Sequence, residues 1–251
     1  MQVLLFQARD AGDPMRDHEE HCFLDKLALF GGKLELTTFN LVTEPPEGQA
    51  LWRDHDLILV GGSGRYGCVG NQHPWHLAFL DTLRTIVAAG KPMFCSCFGH
   101  QALAVALGGT VITDRPNAEL GTHEVTLNEV GRADPLFADC PSPFTAQFGH
   151  NDRVSELPPG ALNLASTPLC PVQSYRLEGR LVYATQFHPE MSHEQNQERA
   201  MGYLQVYDVE QTTPERLARM FRPSHEASGL MARFLRMVVA QGKDETLLTS
   251  L

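Results

Sequence analysis

The chain has 251 residues, enough for one α/β domain with an extension and for a sizeable core. Its 30 Asp and Glu outnumber 20 Lys and Arg and no basic cluster stands out, so a nucleic-acid surface is not expected and the acidic balance serves solubility. Six cysteines in a chain of this length make no disulfide framework, and no second Cys or His pair with zinc-finger spacing accompanies Cys95 and Cys97, so neither metal nor cofactor is expected.

Val3 to Phe6 reads as a first buried strand. It is too short and lacks the charged start of a secretory signal, and no apolar run reaches membrane-spanning length, so the expectation is a cytoplasmic protein with no membrane partner. An acidic, His-rich stretch to about Glu20 leads into a helix predicted over Phe23 to Phe30, closed by Gly31-Gly32. Leu34 to Leu41 reads as a second strand. Asp56 to Val60 is a near-continuous apolar strand ending in Gly61-Gly62-Ser63-Gly64-Arg65-Tyr66-Gly67. That loop fits neither the P-loop nor the dinucleotide fingerprint, so it is read as a backbone that approaches a developing negative oxygen or as a tight turn. The spacing of Leu77, Leu80, Leu83 and Val87 predicts a packing helix over Pro74 to Val87.

Lys91 to Gln101 reads as strand, tight turn and helix. Met93 to Cys95 is a short apolar run after a proline, and Ala102, Val105 and Ala106 recur at helical spacing before Gly108-Gly109. Cys97 falls at the bend, where a thiol is lifted out of the sheet and the helix amino terminus favours the thiolate. A small buried hydrophobe is the ordinary role of a free cysteine. A second stretch argues for chemistry: Tyr183 to Glu190 ends an apolar strand with His188 and, two residues on, Glu190. In an extended chain these positions share a face, so Glu190 is placed to hold one imidazole nitrogen while the other takes the Cys97 proton.

Between these stretches, Thr110 to Ile112 and Val125 to Leu127 read as strands, and Ala146 to Val154 carries His150, Asn151 and Asp152. Leu162 to Ala165, Val172 to Tyr175 and Leu181 to Thr185 read as closing strands. Beyond Glu190, Arg199 to Val209 and Pro214 to Phe221 are expected to be helical, with a final amphipathic helix around Gly229 to Val239. This segment reads as packing or oligomer contact, or as a cover over the site. Strands alternating with helices predict an open, mostly parallel α/β sheet with helices on both faces and a C-terminal helical extension. The expected organisation is a catalytic domain over residues 1–190, completed by a helical insertion and C-terminal helix over 191–251.

Cys97-Phe98-Gly99-His100-Gln101 and Gln186-Phe187-His188-Pro189-Glu190 resemble the G-x-C-x-G-H-Q and Q-F-H-P-E signatures of the class I (triad) glutamine amidotransferases. The segments between them match as well. Gly149-His150-Asn151-Asp152-Arg153-Val154 resembles the S-H-G-D-x-V segment of the GMP synthase amidotransferase branch. The resemblance implies a flavodoxin-like fold, Cys97 as nucleophile, His188 as base and Glu190 as the group that orients it. It implies oxyanion donors in the Gly62 and Phe98 N–H groups, and glutamine held by Gln101 and by the backbone around Asn151 and Asp152. The family usually has proline where this chain has Ser63, and glycine where it has Cys95.

Three functions stay open on the sequence. The first is a glutaminase that hydrolyses the glutamine γ-amide through a γ-glutamyl thioester and releases ammonia for a separate synthase or synthetase subunit. The second is a free-standing γ-glutamyl peptidase. The third is a catalytically silent binding or regulatory module, which the intact Cys97, His188 and Glu190 disfavour. The expected small-molecule partner is glutamine or another γ-glutamyl compound, and a homo-oligomer is left open.

Overall fold

The structure, a computed structural model, describes residues 1–204 and 214–248. Three apolar strands, β1 (Gln2–Gln7), β3 (Leu57–Val60) and β4 (Met93–Ser96), are flanked by β2 (Glu35–Asn40) at the sheet edge. Side chains on a strand alternate between faces, and here both faces are covered. Leu4, Phe6, Ile58, Val60, Met93 and Cys95 pack on one side, while Val3, Leu5, Leu57, Leu59 and Phe94 pack on the other. This is why the strands read as continuous apolar runs.

Helices α1 (Met15–Ala28), α2 (Pro74–Ala88) and α3 (Phe98–Ala106) connect the strands. Helix α1 begins earlier than the predicted start at Phe23. Asp13 Oδ1 accepts from the Met15 N–H at 2.9 Å, and Pro14 tolerates the helix entry because it has no amide to satisfy. The inward stripe of α1 is Met15, Glu19, Cys22, Phe23 and Leu27. Glu19 thus occupies a position that the helical period gives to an apolar residue.

The remaining strands are β5 (Thr110–Thr113), β6 (Glu119–Leu127), β7 (Phe144–His150), β8 (Asp152–Glu156), β9 (Ala161–Ser166), β10 (Ser174–Leu177) and β11 (Val182–Thr185), with a short helix α4 (Glu129–Ala133) after β6. Nine strands form one sheet in the order β2-β1-β3-β4-β11-β10-β9-β6-β7, and β5 pairs with β8 in a separate ribbon. The α/β class expected from the sequence is what the chain adopts. The sheet is mixed: pairings from β2 to β11 are parallel, and those from β11 through β7 are antiparallel. Site-bearing loops leave the carboxyl ends of β3, β4 and β11 in the parallel half, where such sheets bind ligands.

After Glu190, α5 (His193–Gly202) opens with a capping box between Ser192 and Gln195, followed by α6 (Pro214–Met220), α7 (His225–Ser228) and α8 (Leu230–Leu248). The helix expected over Arg199 to Val209 is therefore seen as the end of α5, and the part of that expectation beyond Leu204 lies outside the described residues. Phe234 of α8 packs its ring 5.3 Å from Phe94 and 5.8 Å from Tyr183, closing one face of the sheet. No helix among the described residues is long and apolar enough to cross a membrane.

Candidate active site

Strand β4 is buried throughout and delivers Cys97 to a tight elbow. Cys97 has φ 49° and ψ −101°, the one positive-φ residue other than glycine among the described residues. Backbone held in such a region costs roughly 1–3 kcal/mol and persists only where the surroundings impose it. Here they do. The Cys97 N–H donates to Thr185 O at 2.9 Å, the Gln101 N–H returns to Cys97 O at 3.1 Å, and the Gly99 N–H donates to Gly61 O at 3.1 Å. A side chain at Gly99 would place its Cβ 2.7 Å from Val60 O, so only glycine lets α3 press this closely on β3.

The Cys97 thiol is 7 % exposed and its Sγ faces Gly149 O at 3.8 Å. Burial pushes the thiol up to about 11, against the pull of Arg199, the Phe98 N–H and Arg9. Cys97 thus rests as a protonated thiol. The helix-start effect expected from the sequence acts in the stated direction, but desolvation outweighs it.

Register pairs Thr185 of β11 with Ser96 of β4, so the chain leaves both strands side by side, toward His188 on one and Cys97 on the other. His188 Nδ1 lies 2.6 Å from Glu190 Oε1, with both side chains closed to solvent. The two meet across a turn after β11 rather than along an extended strand. His188 Nε2 is buried and makes no hydrogen bond to any described residue. Burial lowers the pKa of the imidazole, partly offset by the Glu190 carboxylate. The arrangement leaves an oriented ring with Nε2 unpartnered among the described residues and its Cε1 within 3.2 Å of where a Cβ on Gly62 would stand.

The glycine loop holds an interaction that the sequence reading missed. The Gly62 N–H donates to Glu19 Oε1 at 2.7 Å. Glu19 in turn accepts from Arg9, at 3.0 Å from Nη2 and 3.3 Å from Nε, and Arg9 Nη1 donates to the Tyr203 hydroxyl at 2.6 Å. The Tyr203 hydroxyl in turn donates a hydrogen bond to Asp13. Phe98 is the first residue of α3 behind the elbow, and its N–H faces the Cys97 sulfur. Of the two expected oxyanion donors, the Phe98 N–H thus stands at the Cys97 sulfur and the Gly62 N–H is engaged by a carboxylate. The signal for Glu19 was its place on the apolar stripe of α1, visible only once the helix is started at Met15.

A cavity of about 270 Å³ opens over Cys97, walled by Ser63, Gln101, Asn151, Asp152 and Arg199. The three residues expected to hold substrate are therefore all at its wall. Gln101 Nε2 donates to Asp152 O at 2.8 Å and to Gln186 Oε1 at 3.0 Å, tying α3 to both other segments. Asp152 Oδ1 accepts from Thr113 at 2.7 Å. His150 sits in the wall with Nδ1 3.0 Å from Asp152 O and Nε2 3.1 Å from Glu119 Oε2. Burial works against the Glu119 carboxylate, but the hydrogen bond and charge of His150 bring its pKa below the ordinary value. Arg199 on α5 is 3 % exposed and lies with its guanidinium 5.9 Å from the Tyr203 ring centre. The sequence reading left this residue in a segment read as packing or oligomer contact, or as a cover over the site.

The family model described as glutamine amidotransferase class-I matches residues 23–202. A GMP synthase [glutamine-hydrolyzing] of Parafrankia sp. (strain EAN1pec) is 38% identical over 124 residues, which are 49% of this chain and 22% of the relative. A GMP synthase [glutamine-hydrolyzing] of Aeropyrum pernix is 36% identical over 148 residues, 59% of this chain and 26% of the relative. The chain thus spans about a fifth to a quarter of the length of the curated relatives it matches. Among solved structures, a glutamine amidotransferase from Thermotoga maritima superposes with TM-score 0.72 at 18% identity, covering 94% of this chain and 97% of that one. A glutamine amido transferase from Methylobacillus flagellatus gives 0.66 at 22% identity, covering 94% of each chain. At these identities the structures speak to the fold.

Proposed function

The chain belongs to the glutamine amidotransferase class-I family, and we infer from this that it hydrolyses the γ-amide of glutamine at Cys97. In the proposed reaction the thiol turns from Gly149 O toward His188 Nε2, which takes the Sγ proton as sulfur bonds to the γ-carbonyl carbon. Glu190 holds the Nδ1–H and stabilises the imidazolium that forms. The carbonyl oxygen becomes an oxyanion facing the Phe98 N–H and a second N–H of the glycine loop. His188 returns the proton to the amide nitrogen, ammonia leaves, and a γ-glutamyl thioester remains on Cys97. Water, deprotonated by the same ring, cleaves the thioester to glutamate and restores the thiol. The chemistry needs a base that is neutral at rest and an acid that is not yet ionised. The lowered His188 and raised Cys97 supply that combination.

The observation that carries the reading is the buried His188 ring, one nitrogen on Glu190 at 2.6 Å and the other unpartnered among the described residues, following the strand paired with the one that leads into a cysteine held at positive φ. The test is rapid quench of the protein with glutamine followed by mass spectrometry. A γ-glutamyl adduct on Cys97, with stoichiometric glutamate and ammonia, is expected. Absence of both would refute the reading. We further propose that the ammonia serves a synthase, as the names of the relatives suggest, and that the six free thiols fit a reducing, cytoplasmic setting. We also propose that residues 191–251 complete a single catalytic domain, a reading supported by the packing of Phe234 on the central sheet.

A second reading has one observation in its favour. Arg65, Arg115 and Arg199 line the cavity over Cys97 together with one carboxylate, Asp152, and Arg65 also pairs with Asp10 at 3.2 Å. A γ-glutamyl peptide, whose leaving amine bears a second carboxylate, would meet arginines in that wall. A kcat/KM on γ-glutamyl dipeptides well above that on glutamine would favour the peptidase.

A further inference from the structure

The Gly62 N–H is held by a built-in anion. Its acceptor, Glu19 Oε1, is itself fixed by Arg9, and Arg9 is fully buried with Tyr203 on its far side. The bond is charge-assisted and shielded from water, which makes it strong and its loss costly. The two glycines of the loop answer to this arrangement. A Cβ at Gly61 would strike Glu19 Oε1 at 2.5 Å, and one at Gly62 would come within 3.2 Å of His188 Cε1. The neighbouring residue is differently placed. Ser63 is 5 % exposed and forms part of the wall over Cys97, and its N–H has no partner among the described residues. Its hydroxyl is turned away, donating to Tyr66 O.

On the reading that Cys97 attacks a γ-glutamyl carbonyl, we propose that the second oxyanion donor is the Ser63 N–H. Glu19 and Arg9 are then positioning residues. By taking the Gly62 N–H they fix the loop at the residue before Ser63, leaving the Ser63 amide, unpartnered among the described residues, at the cavity wall. Using the Gly62 N–H instead would set the forming oxyanion against the Glu19 carboxylate on one donor, two like charges in a site closed to water. The Phe98 N–H and the Ser63 N–H leave the carboxylate behind the loop, where Arg9 neutralises it. The chain thus depends on an amide at position 63, where a proline would have none.

The experiment compares Ser63→Pro with Ser63→Ala on glutamine or on whichever γ-glutamyl compound the wild-type chain turns over. Both lose the hydroxyl and only the first loses the N–H. Ser63→Pro should fall about 100-fold to 1,000-fold below Ser63→Ala in kcat, the usual loss of one oxyanion donor. Alkylation of Cys97 by iodoacetamide, which forms no oxyanion, should proceed at similar rates in the two variants and reports that the elbow is intact. Glu19→Gln, an isosteric change, should lower kcat about tenfold or more with little change in KM, since geometry at the transition state is what it disturbs. Equal kcat in Ser63→Pro and Ser63→Ala overturns the assignment. A kcat that rises in Glu19→Gln overturns it as well, since the carboxylate would then be blocking Gly62 as the working donor. Should Ser63→Pro fail to fold, the direction of the Glu19→Gln effect still decides. A wild-type chain inactive on every γ-glutamyl compound would instead sink the functional reading, a distinct result.

Discussion

His188 and Glu190 form a buried pair, 2.6 Å from Nδ1 to Oε1, in which the carboxylate meets the ring from two residues further along the same turn. The pair sets tautomer and direction together: a proton on Nδ1 leaves Nε2 as the acceptor. His188→Ala removes the proton carrier and should lower kcat about 10²-fold to 10⁴-fold, the range of general acid–base catalysis. Glu190→Gln should lose less, because the amide still accepts from Nδ1 through its oxygen. Steady-state kinetics of the two variants check the order, and no loss in Glu190→Gln would place the orienting group elsewhere.

Cys97→Ser should abolish turnover with the fold retained, since a hydroxyl ionises far less readily than a thiol. Cys95→Ser should keep turnover and lose stability. Cys95 is closed to solvent in the apolar layer beneath the elbow, and an unpartnered hydroxyl there costs about 1–3 kcal/mol. Activity and urea denaturation, measured on both, separate the two roles.

Electrophile labelling should distinguish Cys97 from Cys140. Cys140 is the one cysteine that is not buried, whereas Cys97 is closed over but stands at the cavity wall. A small neutral alkylating agent should mark both. Excess glutamine should protect Cys97 and leave Cys140 unchanged, as read by mass spectrometry of the peptides. Protection of neither would argue against a glutamine site at the elbow.

The pH profile follows from the two shifts. Burial lowers His188 from its ordinary value, so its neutral form persists below the usual histidine range, and kcat/KM should stay level through pH 7 and fall only on the acid side of about 6.5. A fall beginning above pH 7 would contradict the lowered ring.

Stability should drop with acid by a related route. His100 is fully buried and burial lowers it to about 3, so the unfolded chain binds a proton there that the folded chain refuses. The stabilisation is complete above the unfolded value of about 6.5 and is lost progressively as pH falls toward about 3, at a slope of up to about 1.4 kcal/mol per pH unit for that one proton. Replacing His100 by glutamine should make the slope of unfolding free energy between pH 6 and pH 4 shallower. An unchanged slope would assign the acid sensitivity to other groups.

Much of the fold was legible because it rests on local repetition. Apolar runs marked the central strands, helical spacing marked α2 and α3, and Gly90 and the pair Gly108-Gly109 marked their ends. The mixed character of the sheet was not legible, because strand direction in β9, β10 and β11 depends on which strand lies beside which. The separation of His188 and Glu190 by two residues made their pairing readable, although the turn that joins them was not foreseen. The Cys97 elbow was likewise written locally, in a strand, one cysteine and a helix that starts at the next residue. Only the tertiary structure decided what stands around that elbow. Glu19 reaches Gly62 from another element, and Arg9 reaches Tyr203 across nearly the whole chain. A charge on an apolar stripe looks like a helix fault until its buried partner is seen, and burial itself sets the Cys97 thiol at about 11 rather than the thiolate suggested by the helix start. Periodicity reports which face of an element turns inward. Which charges meet there, and how far water is excluded from them, is fixed by packing between segments distant in sequence.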